Sequence, residues 1–283
     1  MRQFKEQFMK IIFLIAACTS VLAVALICIF LFANGVPAMT KIGIWDFLSG
    51  ERWRPSNDIY GILPMILGSV YVTAGAIVIG VPIGLGCAVF MAHYCPKQIY
   101  GVAKAAVNLM AGVPSVVYGF FGLVCIVPLM QQMTGRDGST MLTASILLGI
   151  MILPTIVSVC EAAIRSVPVP YYEGALALGA TKERSIFRTV IPAAKSGIVA
   201  GIVLGIGRAI GETMSVVMVA GNQARMPKGL FRGIRTLTSN IVLEMGYAAD
   251  LHREALIATG VVLFVFILII NLCVAALKRQ DKQ

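Results

Sequence analysis

GIVAGIVLGIGRAIGETMS, residues 197–215, is apolar enough to cross a membrane and yet carries Arg208 and Glu212 near its middle. In a helix with about 100° per residue, one narrow stripe collects Gly197, Gly201, Gly205, Arg208, Glu212 and Ser215. The glycines would let another helix approach closely, and Arg208 and Glu212 would pair along the same face. Because a charge at bilayer depth costs about 2.5–3.5 kcal/mol, these side chains must face protein or water. The pair is therefore either an internal link between helices or part of a transport pathway.

The composition of the whole chain is that of a membrane protein. It is 58% hydrophobic and 13% charged over 283 residues, with a mean hydropathy of +0.88, whereas a soluble domain carries about 25% charged residues. The seven cysteines form no CxxC pair, and two histidines are too few for a His-based metal site, so we expect no disulfide framework and no cofactor. The net charge of +10 does not indicate nucleic acid as a partner, because the cations flank apolar runs.

Six apolar runs predict an all-α membrane protein with six transmembrane helices. The predicted spans are 11–33, 63–91, 105–133, 141–164, 196–221 and 255–277. Pro and Gly interrupt the second and third spans, as packed membrane helices tolerate, but the fifth and sixth show no matching interruption. Trp45, Phe47 and Trp53 are predicted at the membrane interface.

The spans divide the chain into a first transmembrane helix with its external loop (1–60), a core (61–277) and a tail (278–283). The core contains the loops 165–195 and 222–253. Six spans put both termini on one side, which collects thirteen Lys and Arg residues against nine on the other. The excess predicts that both termini and loop 165–195 are cytoplasmic and that loop 222–253 is external.

The cytoplasmic loop contains VPVPYYEGALALGATKERSIFRTVIPAAKSG, residues 167–197. Pro170 is suited to begin a helix, Gly179 to end it and Thr181 to cap the next one. Exposed Tyr171, Tyr172, Leu176 and Leu178 would fit either the groove of a partner or the chain's own helix ends.

Gly174 and Gly179 have the spacing of a phosphate-binding loop. Ala180 and Thr181 follow them instead of Lys and Ser or Thr, so the loop holds no nucleotide. Any ATP must therefore be hydrolysed by another subunit.

Loop 165–195 resembles the signature loop of binding-protein-dependent ABC importer permeases. That signature is E-A-A, three residues, G, nine residues, I-x-L-P. Glu173-Gly174-Ala175, Gly179 and Ile191-Pro192 match its spacing, with Gly174, Thr189 and Ile191 as departures. The resemblance implies that an ATPase subunit docks on this loop, at Tyr171, Tyr172, Glu173, Gly174, Ala175, Gly179 and Pro192.

Further segments resemble the C-type permease subunits of phosphate importers, over about residues 40–275. They are GVPSVVYG (112–119), GRAIGET (207–213), RTLTSNI (235–241), WDFL (45–48) and WRP (53–55). The resemblance implies the type I ABC importer permease fold in the cytoplasmic (inner) membrane. It also implies three kinds of partner: a second, paralogous permease chain, two ATP-binding cassette subunits and an extracytoplasmic phosphate-binding protein.

The family's intramembrane charges correspond to Arg208 and Glu212, where Glu212 would hold Arg208 until an anion arrives. Pro114 and Ser115 are further candidates for the pathway, because proline frees carbonyls, although a packing kink would serve equally. Arg225, Arg232 and Arg235 in loop 222–253 are expected to dock the binding protein or concentrate anions, unless the loop is only solvated.

These observations predict a permease subunit that moves inorganic phosphate inward by alternating access and catalyses no reaction itself. A permease for another oxyanion, such as sulfate, molybdate or phosphonate, is the nearest alternative. A stand-alone secondary anion transporter would need broken helices in both halves of the chain. A membrane scaffold fits poorly with a buried Arg and Glu.

Overall fold

The computed structural model describes the backbone of residues 2–280 and the side chains of residues 6–272. This part of the chain is mostly helical, with one short hairpin. The helices are α1 (Arg2–Ile42), α2 (Ile44–Ser49), α3 (Leu63–Val89), α4 (Lys97–Gly112), α5 (Ser115–Phe121), α6 (Val127–Thr134), α7 (Met141–Arg165), α8 (Val169–Ala177), α9 (Lys182–Ser185), α10 (Ile191–Ala193), α11 (Lys195–Gly211), α12 (Met214–Val219), α13 (Leu237–Glu244) and α14 (Asp250–Gln280). The strands β1 (Trp53–Arg54) and β2 (Ile59–Tyr60) pair antiparallel.

Five helices of the described part are long and apolar enough to span a membrane. They are Glu6–Ile42, Leu63–Tyr94, Ser115–Thr134, Met141–Arg165 and Asp250–Leu272. A sixth span arises when Lys182–Ala193 and Lys195–Gly211, which meet at 71°, are taken together. The all-α membrane fold is thus confirmed. The last three residues of the predicted tail 278–283, and all its side chains, lie outside the described part.

The prediction for the third span was wrong at its N-terminal end. Residues 105–112 belong to α4, which is a separate helix, and the span itself begins at Ser115. The helix ends because the backbone of Val113 and Pro114 is extended, with ψ values of 126° and 142°. A proline also disfavours helical geometry in the residue before it.

Glycines and small residues bring α3 and α7 together in the centre of the bundle. A Cβ atom on Gly80 would lie 2.7 Å from Cδ1 of Ile152, and one on Gly84 would lie 2.9 Å from Cγ2 of Ile156. Only glycine allows such an approach, and the large buried side chains of α7 fill the space it opens. This contact forms the main core.

A second core joins α1 to α14, the hairpin and α13. A Cβ on Gly35 would lie 3.1 Å from Cα of Ala258, and Phe32 packs edge-on against Phe264 at 5.9 Å. Phe47 and Trp53 are buried here, contrary to their predicted place at a membrane interface, whereas Trp45 is exposed. Trp53 turns inward because its indole nitrogen donates to Glu244, at 2.8 Å.

The two ends of the bundle are distinct. Residues 94–97 and 166–194 meet at what we call the first end, where Lys182 lies over the ring of Tyr94. Residues 43–62 and 220–249 meet at the second end, where the hairpin contacts α13 through Trp53 and Glu244.

Candidate functional site

The glycine stripe of α11 packs against α7, as the sequence predicted. A Cβ atom on Gly201 would lie 2.9 Å from Sγ of Cys160, and one on Gly205 would lie 2.8 Å from Cγ1 of Ile156. The two helix backbones therefore approach closely. This contact places the last turn of α11, which includes Arg208, beside the middle of α7.

Arg208 and Glu212 do not pair as predicted. Among the described residues, Arg208 has one hydrogen-bond partner, the hydroxyl of Thr155 on α7, 3.4 Å from its Nη1 atom. Glu212 lies beyond the end of α11 in extended conformation, with φ −70° and ψ 131°. The i, i+4 geometry needed for pairing is lost because the helix stops at Gly211.

Glu212 instead organises a break in the chain. Its Oε1 atom accepts a hydrogen bond from the backbone N–H of Ser215, 3.3 Å away, in the first turn of α12. Its carbonyl accepts from the hydroxyl of Thr238, at 3.1 Å. The predicted continuous span 196–221 is therefore wrong: it consists of α11, an extended link and α12.

A second break lies beside the first. Pro114 is extended and exposed, and Ser115 begins α5. The hydroxyl of Tyr118 bridges this break by donating to the carbonyl of Met110, at 2.9 Å. Beyond the break, α5 packs on α12, since a Cβ on Gly119 would lie 2.9 Å from Cα of Ser215. The structure thus brings the Pro114 and Glu212 breaks together, which their separation in sequence did not reveal.

This arrangement combines a cation with groups able to hydrogen-bond an anion. Arg208 is half-buried, as are Ser115 and Glu212. The hydroxyl of Ser215 is fully buried and has no hydrogen-bond partner within the described residues. Residues 2–280 as described contain no group of three or more potential metal-ligating His, Cys, Asp or Glu side chains.

At the first end, α8 presents an apolar surface. Leu178 is 90% exposed, Tyr171 is 54% exposed, and Glu173 and Gly174 are exposed beside them. Tyr172 is half-buried, and its ring faces His93 with ring centroids 5.8 Å apart, which fits the alternative that it packs against the chain's own helix ends.

The local structure of this loop follows its sequence. Gly179 ends the helical turn with φ +83°, which glycine adopts without strain. The Thr181 hydroxyl accepts from the N–H of Arg184 and caps α9. Ala175 is half-buried, and Pro192 is exposed in α10.

Glu161 forms an ion cluster that the sequence interpretation missed. This side chain of α7 is 2% exposed and lies 2.5 Å from Nζ of Lys104 and 2.6 Å from Nε of Arg165. The hydroxyl of Tyr100 also donates to it, at 2.8 Å, and this hydrogen bond raises the pKa of Tyr100. A carboxylate inside an apolar run was the available indication, by the same reasoning that singled out Arg208.

At the second end, the three predicted docking arginines separate into two groups. Arg235 is largely buried and bound to Glu244, 2.5 Å away, and to Asn240, 3.0 Å away, so it is part of the framework. Arg225 and Arg232 are exposed and border a cavity of about 420 Å³. Arg54 from β1 lines the same cavity, which the linear sequence gave no means of predicting.

Residues 80–280 match the family described as "Binding-protein-dependent transport system inner membrane component". The chain belongs to this family. It is thus a multi-pass inner-membrane permease subunit of an ABC transporter and not an enzyme. The predicted family is confirmed.

Curated relatives in this family are similar over most of their length. The chain is 36% identical to "Phosphate transport system permease protein PstC" of Mesorhizobium japonicum, covering 86% of this chain and 81% of the relative. It is 33% identical to the protein of the same name from Pasteurella multocida, covering 83% and 82%.

A solved structure supports the fold. A chain of a bacterial ABC transporter involved in the import of the acidic polysaccharide alginate matches with a TM-score of 0.65 at 15% identity, covering 100% of both chains. The type I importer fold predicted for this permease is confirmed.

Proposed function

We propose that this permease subunit carries inorganic phosphate into the cell, along a path that passes between the Pro114 and Glu212 breaks. The observation that carries the proposal is the position of Arg208, a half-buried cation whose one hydrogen bond within the described residues is to Thr155, at 3.4 Å. Burying a cation with one weak partner inside a membrane bundle costs free energy, and a mobile anion that neutralises the cation lowers this cost. Relatives named phosphate transport permeases identify the anion that we expect.

We assign each residue near the two breaks a role within the path. Arg208 attracts the anion, and Ser115 and the unpartnered hydroxyl of Ser215 supply hydrogen bonds near the breaks. Pro114 keeps the backbone extended, which frees carbonyl groups beside the path. Glu212 limits the time that the anion stays by opposing its charge.

The energy source lies on partner chains. We propose that two ATP-binding cassette subunits drive alternating access and that one docks on loop 165–195, with Tyr171 and Leu178 entering its groove. Exposure of these two side chains supports this contact. A second, paralogous permease chain completes the membrane unit and an extracytoplasmic phosphate-binding protein delivers the anion, with membrane lipid around the exposed apolar faces.

We also propose the orientation and domain division expected from the sequence. The first end, with loop 165–195 and both termini, faces the cytoplasm, and the second end faces outward. Residues 1–60 form the first helix with its external loop, and 61–277 form the permease core. The basic residues near the termini and in loop 165–195 support this orientation.

One observation favours the stand-alone transporter, because the chain breaks near both Pro114 and Glu212 and so in both halves. Membership of the ABC permease family argues against it. The two possibilities differ in their need for ATP.

The test reconstitutes the complex that co-purifies with this chain into vesicles and measures ATP-dependent uptake of labelled phosphate. Arg208→Gln is expected to abolish uptake while leaving the complex assembled, and Arg136→Gln, an exposed cation away from the breaks, is the matched control. Leu178→Ser should release the ATPase subunit, whereas Tyr172→Phe should retain it. Uptake that survives Arg208→Gln would contradict the pathway, uptake without ATP would favour the secondary transporter, and ATP-dependent uptake of sulfate alone would exclude phosphate.

A further inference from the structure

The cavity of about 420 Å³ at the second end has strongly basic walls. The hairpin side contributes Arg52 and Arg54, and the segment 224–233 contributes Arg225, Lys228 and Arg232. Glu51 is the one acidic residue that borders the cavity in the described part of the chain. The cavity therefore has a formal excess of four positive charges.

These cations are not used to stabilise the fold. Within the described residues, the side chains of Arg52, Arg54, Lys228 and Arg232 make no hydrogen bond or ion pair, and Arg225 binds only the amide oxygen of Gln223. Three cations elsewhere in the described part are paired with carboxylates: Lys41 with Glu254, Lys104 with Glu161 and Arg235 with Glu244. Five like charges around one concave space repel one another unless an anion lies between them.

The walls of the cavity are firmly anchored. Arg54 lies in β1, opposite Ile59, and the neighbouring Trp53 is fixed to Glu244. On the other wall, the carbonyl of Arg232 accepts a hydrogen bond from the N–H of Met141, at 2.9 Å. The backbone that carries these cations is thus held in place before any ligand arrives, which lowers the entropic cost of binding.

The cavity is connected to the two breaks through α12. Gly233 lies in the cavity wall, and a Cβ on Gly221 would be 3.1 Å from its Cα atom. The next residue, Ile234, donates its N–H to Ala220 at the end of α12. At the other end of α12, the backbone N–H of Ser215 donates to Glu212. A helix of this length rises about 9 Å, so the cavity lies one short helix away from the breaks.

We infer that this cavity binds a small tetrahedral oxyanion, which is inorganic phosphate in the importer proposed above, before the anion reaches Arg208. Only the identity of the anion rests on the proposed function. Guanidinium groups line one open cavity from two separate walls, and their planar donors match the oxygens of an oxyanion. A free anion fits this arrangement better than a flat acidic protein surface, which would meet the cations of one wall at a time.

The test measures equilibrium binding of labelled inorganic phosphate to the purified complex without its binding protein. Ionic strength is held constant with chloride, so that general screening does not change. The double variant Arg54→Gln with Arg232→Gln should weaken phosphate binding by roughly tenfold or more, because each charge-assisted hydrogen bond contributes strongly. Arg136→Gln is the matched control and should bind as the parent does.

A second variant keeps the test decisive if the double variant assembles poorly. Glu51→Gln removes the one repulsive charge and should tighten phosphate binding several-fold, an effect that a merely solvated basic loop would not produce. Arg208→Gln is examined by uptake and not by this binding measurement, so the two proposals can fail independently.

Three results would overturn the inference. The first is the absence of saturable phosphate binding by the parent complex. The second is equal binding by the parent and the Arg54→Gln, Arg232→Gln variant. The third is that the double variant no longer binds the phosphate-binding protein and yet binds free phosphate as the parent does. The cavity would then be a docking site for acidic side chains of that protein.

Discussion

Gly119 of α5 lies directly against Ser215 of α12. A Cβ atom at position 119 would be 2.9 Å from the Cα atom of Ser215 and 2.7 Å from Sδ of Met218. Each residue follows a helix break by only a few positions, so this contact fixes the two breaks relative to each other. The candidate path therefore depends on a position that carries no functional group.

Gly119→Ala should lower the free energy of unfolding by about 1–3 kcal/mol, because the new methyl group meets backbone that cannot easily move. Thermal unfolding of the purified complex measures this as a lower Tm. Gly112→Ala is the control, since nothing lies within 4 Å of a Cβ at that position. Equal Tm values for the two variants would show that α5 and α12 can separate without cost.

Glu212→Gln separates the charge of this residue from its hydrogen bond with Ser215. A glutamine oxygen still accepts the hydrogen bond from Ser215, so Tm should stay close to that of the parent. Uptake of phosphate should fall by roughly tenfold or more if the charge governs release of the anion. Glu212→Ala removes this hydrogen bond as well and should cost a further ~0.5–1.5 kcal/mol in stability. Normal uptake by the glutamine variant would mean that the charge of Glu212 has no part in transport and that the residue acts only through its hydrogen bond with Ser215.

Arg235 and Arg225 should behave differently despite lying in the same loop. Arg235→Gln breaks a largely buried ion pair with Glu244, which we expect to cost about 3–5 kcal/mol of stability. Arg225→Gln should leave Tm unchanged, because that side chain is exposed and, within the described part of the chain, binds only Gln223. Thermal unfolding distinguishes them, and a stable Arg235→Gln complex would be inconsistent with a framework role.

Glu161→Gln should loosen α4 from α7. Glu161 is 2% exposed and holds Lys104, Tyr100 and Arg165, so removing its charge should cost about 3–5 kcal/mol. Hydrogen exchange of the backbone amides in α4 should be faster in the Glu161→Gln complex than in the parent.

The exposed pair Lys41–Glu254 provides the control for Glu161. Its side chains are 57% and 38% exposed, and Glu254→Gln should cost less than about 1 kcal/mol. Unchanged exchange in α4 of the Glu161→Gln complex would mean that apolar packing alone holds that helix.

The local features predicted from sequence were mostly correct where short-range chemistry decides them. The Thr181 cap and the left-handed Gly179 depend on residues near each other in the chain, and the regular spacing of the α11 glycines indicated a close helix contact without naming α7 as the partner. The pairing of Arg208 with Glu212 failed because it assumed a continuous helix. Thr238 lies far along the chain, yet its hydroxyl contacts the Glu212 carbonyl at the break.

The sequence by itself determined that this protein crosses the membrane through helices and belongs with importer permeases. Apolar runs of sufficient length and a spaced loop motif are properties of the linear chain, independent of how the helices meet. The tertiary structure alone decided the partners of the charges. It buried Arg235 against Glu244, placed Arg208 beside Thr155 and gathered Arg54 with Arg232 around one cavity. Electrostatic energy depends on distance in space and on local burial, and neither can be obtained from separation along the chain.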